Sequence, residues 1–144
     1  GHAHAAGVRL QAGQLERFRD ALNQVASAQL DLADLQRVLV HDGPLDVATV
    51  DFALCRALDR AAPFGRKNAE PTFLFRGVAP VGLRELKGGH LKATLESARH
   101  VEMIAFGAAE RAAQIGRVID VLATPEINEF RGALSLQLRV KDFR

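Results

Sequence analysis

Between Ala133 and Lys141 the chain alternates without a fault: Leu134, Leu136, Leu138 and Val140 take one side, and Ser135, Gln137, Arg139 and Lys141 take the other. Side chains of an extended strand point to its two faces in turn, so this period of two demands a sheet with one buried and one solvated surface. Gly89-His90-Leu91-Lys92-Ala93-Thr94-Leu95 repeats the pattern, with Leu91, Ala93 and Leu95 inward and His90, Lys92 and Thr94 outward. Together the two stretches predict a small closed sheet with a cationic outer surface, a design suited to single-stranded nucleic acid.

The rest of the chain divides around this sheet. From Gln14 to about Leu39, Leu15, Phe18, Leu22, Val25, Leu32 and Leu39 recur at spacings of three and four, which predicts a helix roughly 35 Å long at 1.5 Å per residue. Its apolar stripe reads as a core face, with a dimer seam as the alternative. His41-Asp42-Gly43-Pro44 signals a turn, a helix capped by Thr49 follows to about Ala61, and Pro63-Phe64-Gly65 stops it. Residues 62–71 read as a connector. Thereafter come a long strand (72–83, bent at Gly77 and Pro80), a turn at Gly88-Gly89, and strands over 90–96 and 101–106. A short alanine-rich helix lies between Gly107 and Gly116, followed by a strand over 118–124, a loop around Asn128 and a last strand to about Lys141. All five prolines fall at predicted breaks or bends. Three strands, a helix and two strands is the order of the OB-fold, a five-stranded Greek-key barrel. The expected class is α+β: an N-terminal helical segment, then an OB barrel with a short helix between strands 3 and 4.

At 144 residues the chain can bury a real core, and 48% apolar with 25% charged residues is a globular composition. The net charge of +2 predicts no partner by itself, but its distribution is uneven. Residues 65–144 carry 13 Lys/Arg against 9 Asp/Glu, while residues 1–64 carry 6 against 8, so the basic excess lies in the half that reads as strands. The single Cys55, among Phe52, Leu54 and Leu58, excludes an internal disulfide framework and reads as core filler. No run approaches the roughly 20 apolar residues of a membrane span and no signal peptide is recognisable, which leads us to expect a cytoplasmic protein.

An OB barrel usually binds through strands 2 and 3 and the loops joining strands 1 to 2 and 4 to 5. Here the first loop supplies Arg84 and Lys87, strand 2 supplies Lys92, and the second loop supplies Asn128, Phe130 and Arg131. The cations would neutralise phosphates and Phe130 could stack on a base. The competing reading is an ordinary solvated face, and aromatic supply is thin, with no Trp or Tyr. His2, His4, His41, His90 and His100 are too scattered for zinc, the aspartates do not cluster as metal ligands, and no P-loop, nucleophile elbow or dinucleotide turn occurs. Taken alone, the chain reads as a binding module with no catalytic residue and no cofactor of its own.

Five motifs in order add a resemblance. Gly1-His2-Ala3-His4-Ala5-Ala6-Gly7 is similar to the end of the GGHxxAAG motif of DHHA1 domains, and Ala62-Pro63-Phe64-Gly65 with Asn68 and Glu70-Pro71 to an APFGxGNPEP connector. Gly89-His90-Leu91-Lys92, Ile104-Ala105-Phe106-Gly107 and Ile127-Asn128-Glu129-Phe130-Arg131-Gly132 look like HLK, AFG and INEWxG signatures. Departures are Arg66, Lys67 and Ala69 in the connector, and Phe130 where Trp is commoner. The chain thus resembles the C-terminal part of RecJ-type single-strand-specific exonucleases of the DHH phosphoesterase superfamily. The resemblance implies the end of a DHHA1 domain with its connecting helix over residues 1–36. Over 37–144 it implies a RecJ-type OB domain, with a helix at about 49–61 and a barrel at about 72–142.

The resemblance further implies a parent enzyme that degrades single-stranded DNA 5′ to 3′ in repair and recombination. Such an enzyme uses Mn or Mg held by a separate catalytic domain, so this stretch is expected to be inactive alone. Gly1 and His2 are carried over as phosphate contacts at the substrate side of the cleft. The expected partner is single-stranded DNA. The alternative is a module docking a protein such as single-strand-binding protein, and a nanoRNA or cyclic-dinucleotide phosphoesterase is disfavoured because those lack this barrel.

Overall fold

The computed structural model describes residues 5–31, 35 and 38–144, and the chain forms two compact units, residues 1–39 and 40–144. In the first unit a 3-10 turn, Ala12–Gln14, leads into α1, Leu15–Gln29. At 1.5 Å per residue α1 is about 22 Å long, shorter than the expected 35 Å. Leu30 turns to extended backbone (ψ 136°) while still donating to the Ala26 carbonyl, and Asp31, a poor helix-interior residue, follows at once. Leu35, Val38 and Leu39 are not helical, and the remainder of the predicted helix lies outside the described residues.

In the second unit, two aspartates organise the entry. Asp46 accepts from the Ala48 amide and closes a 3-10 turn, Val47–Thr49. Asp51 accepts from the Leu54 amide at 2.7 Å and caps α2, Phe52–Asp59. The cap is therefore Asp51 and not Thr49, whose hydroxyl donates to the Asp46 carbonyl within the preceding turn. Val47, Val50 and Cys55 are buried, and Phe52 and Leu54 pack against the same core. Asn68 holds the connector: its side-chain amide donates to the Ala61 and Pro63 carbonyls, and its backbone exchanges two bonds with Gly65.

Six strands form one sheet: β1 (Phe73–Val78), β2 (Pro80–Leu86), β3 (His90–Leu95), β4 (Ala98–Ala105), β5 (Ile119–Phe130) and β6 (Ala133–Phe143), in the order β1-β5-β6-β4-β3-β2. The two outermost strands are separated in sequence only by Ala79, so the sheet begins and ends on one bent segment. This is the OB barrel, with its first strand broken in two at the bend, where Gly77 (φ 62°) and Gly82 (φ 64°) take up the left-handed backbone that a sharp change of direction requires. β4 and β6 run parallel and the other neighbours antiparallel. Phe75, Leu91, Leu95, Met103, Leu138, Val101 and Val121 are fully buried inside; Leu91, Leu95 and Leu138 are as the alternation of β3 and β6 foretold, whereas Leu134, expected on the same side, is 52% exposed beside the β5–β6 turn.

The helix between the third and fourth barrel strands is a 3-10 segment, Ala109–Gln114. Arg111 pins it to the end of β6, pairing with Asp142 at 2.7 Å, donating to the Phe143 carbonyl and lying 4.2 Å from the Phe143 ring centre. The largest departure is β5. It was expected to end at Thr124 with a loop around Asn128, yet it continues to Phe130, pairing with β6 as far as Phe130 opposite Ala133. Only Arg131 (φ 53°) and Gly132 (φ 78°) form the turn, a two-residue hairpin with both central residues left-handed. Pro125 sits inside this strand because β1 pairs with β5 only up to Ala123, beyond which one side of β5 needs no amide donor. No described helix is long and apolar enough to cross a membrane.

Candidate nucleic-acid interface

Period-two geometry carries one set of side chains around the outside of the barrel: Arg84 on β2, Lys92 and Thr94 on β3, Glu102 on β4, Gln137 and Arg139 on β6, and Glu126 and Asn128 on β5. Arg84 and Lys92 face each other across β2 and β3, and both turn to one carboxylate. Lys92 Nζ lies 2.7 Å from Glu102, and Arg84 Nη2 lies 3.6 Å from it. Lys92, read from the sequence as an outward phosphate ligand, is only 17% exposed and already paired.

The outward cations of β6 are also occupied. Arg139 binds Glu126 through Nε at 2.8 Å and Glu70 through Nη2, and Lys141 Nζ reaches Glu70 at 3.2 Å and the Thr72 hydroxyl at 2.7 Å. The hydrogen bond to Glu126, with the two carboxylates' charge, raises the Arg139 pKa above its ordinary value. Gln137 donates to Glu126, and the Thr124 hydroxyl donates to the Pro71 carbonyl, so residues 70–72 are strapped across β5 and β6. The basic stripe of β6 is thus a fastening for the connector.

Lys87 and Arg131, at the two ends of this face, make no ion pair with any described residue. Lys87 precedes the Gly88-Gly89 turn at one end of the barrel. Arg131 occupies the β5–β6 turn at the opposite end, because β6 runs parallel to β4 and β4 antiparallel to β3. There Phe130 is 64% exposed, with the Arg131 guanidinium 5.2 Å from its ring centre, and the Asn128 side-chain amide lies 3.3 Å from the Ser135 hydroxyl. The expected site residues therefore fall into three places on one face: Lys87 at one end, Arg84 with Lys92 in the middle, and Asn128, Phe130 and Arg131 at the other end. Gly1 and His2 lie outside the described residues.

Sequence reasoning passed over Phe106. It is 55% exposed, and its ring meets His90 edge-on with centroids 5.0 Å apart. The signal was present: Val101, Met103 and Ala105 alternate inward along β4, which puts Phe106 on the outer side.

The sequence model of the RecJ OB domain matches residues 41–142, nearly all of the second unit. The chain belongs to the RecJ OB domain family. The proteins named single-stranded-DNA-specific exonuclease RecJ are similar over almost the whole chain. The Salmonella typhimurium protein is 32% identical over 148 residues, covering 99% of this chain and 25% of its own, and the Bacillus subtilis protein is 27% identical, covering 99% and 19%. The chain thus spans about a quarter of the curated RecJ relatives it matches. RecJ from Thermus thermophilus, solved with Mn2+, superposes with a TM-score of 0.77 at 26% identity, covering all of this chain and 21% of that one. The same protein solved with Mg2+ gives a TM-score of 0.71 at 23% identity, covering 94% and 21%. Among the described residues no three His, Cys, Asp or Glu side chains gather as metal donors, and Glu70 and Glu126 are both committed to Arg139. The described part of this RecJ OB domain therefore does not fit such an ion.

Proposed function

We propose that this OB domain holds single-stranded DNA along its outer face, as part of a 5′-to-3′ single-strand-specific exonuclease acting in DNA repair and recombination in the bacterial cytoplasm. The relatives are named single-stranded-DNA-specific exonucleases. The observation that carries the reading for this chain is the outer face itself, which has Lys87, paired with no described residue, at one end and Phe130 with Arg131 at the other. Lys87 and Arg131 meet phosphates directly. Arg84 and Lys92 do so by leaving Glu102, Asn128 offers a polar contact, and Phe130 stacks on a base. Gly1 and His2 are carried over as further phosphate contacts. The hydrolytic step, and the Mn or Mg it uses, belong to another part of the enzyme, and this domain's share is to hold the strand so that its end reaches that centre.

The test is fluorescence anisotropy of labelled oligo-dT and of a matching duplex over a range of salt concentrations. The reading expects preference for the single strand, with log affinity falling linearly against log salt. Absence of binding at low salt, or a salt-insensitive affinity, would overturn it in favour of a protein-docking role.

A further inference from the structure

Phe106 and His90 form a built feature rather than a stray exposed ring. His90 Nδ1 accepts the Gly107 amide at 3.0 Å, which fixes both the imidazole plane and the backbone that carries Phe106. The Gly88 backbone closes over the other edge of the imidazole: a Cβ built there would stand 3.0 Å from Nε2, and φ at Gly88 is 94°. The turn that holds Lys87 is therefore packed on the ring that supports Phe106. Just beyond, the Gly89 carbonyl accepts from the Ala109 amide at 3.0 Å, tying that turn to the loop after Phe106.

We propose that Phe106, braced by His90, is a second base-stacking platform, and that the bound strand runs between it and Phe130. The inference rests on the single-strand-binding reading above and deepens it. An exposed aromatic ring, held rigid, beside a lysine that pairs with no described residue is what a base and its phosphate require, and nothing in it selects a base. The register sets the separation. Ala133, opposite Phe130, lies three residues before Leu136, which is level with Val101, and Phe106 lies five residues beyond Val101. Eight residue steps at about 3.3 Å span about 26 Å along the strands. At about 3.4 Å per stacked nucleotide that distance accommodates at most about eight nucleotides, within the range that OB folds occupy.

The experiment uses the 144-residue chain with oligo-dT of increasing length, and with a longer oligonucleotide carrying 2-aminopurine at one position at a time. Wild-type affinity should rise with length until both platforms are bridged and then level off, and 2-aminopurine fluorescence should change at two separated positions. F106A should lose roughly 5- to 150-fold in affinity for long oligonucleotides, the range expected for one stacked base, and should lose one of the two fluorescence responses. F106W should restore both, which a purely structural role for Phe106 would not predict. V118A, which trims another exposed apolar residue, should leave both unchanged. If the wild type binds but F106A matches it in affinity and in both responses, the second platform is refuted and the outer-face reading stands. If the wild type does not bind, both fall.

Discussion

Replacing Glu102 with Gln should tighten binding, although Glu102 touches no ligand in the reading above. Arg84 and Lys92 share its single carboxylate, so the trio carries a net +1 where two phosphates could be met. To reach phosphate each cation must leave Glu102, and a partly exposed pair is worth about 0.5–1 kcal/mol. Releasing both therefore lowers the binding free energy by about 1–2 kcal/mol, roughly a 5- to 30-fold gain in affinity. The same two phosphates are met in the wild type once the cations leave Glu102, so E102Q should raise affinity without steepening the log-log salt slope, to which each phosphate contributes about 0.7 for a single strand. The assay is oligo-dT anisotropy across salt for wild type, E102Q, and E102Q in an R84A/K92A background, where the gain should vanish. Unchanged or weaker binding by E102Q would refute the idea that these two cations face the DNA.

Other expectations separate the fold from the face. Arg131→Gly suits the left-handed position (φ 53°), so stability measured by urea unfolding should hold or rise while DNA affinity falls and the salt slope weakens by about 0.7. Asp51→Ala removes the α2 cap and should destabilise the domain by about 1 kcal/mol in the same assay, with oligo-dT binding intact under folded conditions. Phe75→Ala empties a fully buried site and should cost about 3–5 kcal/mol in thermal or urea unfolding. Burial, with Asp59 and Asp51 nearby, pushes the Cys55 thiol from 9.0 up to about 11. Because the folded state keeps its proton longer, this group's contribution to stability is complete below pH 9 and is lost as pH rises through about 11. Urea midpoints measured over that range in wild type and C55A should converge accordingly.

Alternation carried most of the barrel. The inward sets of β3 and, from Leu136 onward, β6 could be read directly, since a period of two leaves no other way to bury them, while Leu134 at the turn is exposed. β5 was cut short because Pro125, Asn128 and Gly132 look like turn formers, and only the knowledge that β1 stops pairing at Ala123 makes a proline acceptable there. The length of α1 was overread because leucine spacing persists past the point where the backbone leaves the helix. At the face, composition gave the sign of the charge but not its availability. Glu70 and Arg139 stand 69 residues apart and Glu102 is ten from Lys92, and no local pattern announces such pairs. Phe106 was legible by the same alternation that placed its neighbours, yet its brace by His90 depends on a hydrogen bond across strands.

The position of β6 bears on how the domain comes into being. Last of the strands in sequence, it lies in the middle of the sheet, between β4 and β5. Until it is in place, β2, β3 and β4 can only form a three-stranded meander with its β4 edge left raw, while β1 and β5 form a separate pair. On a ribosome the sheet would therefore wait for the final strand before it could close, and its assembly should be slow for so small a domain, since its decisive pairings are distant in sequence. A chain cut short before Ala133 would not lose a border strand. It would fall into two halves with open edges, ready to pair with the wrong neighbours.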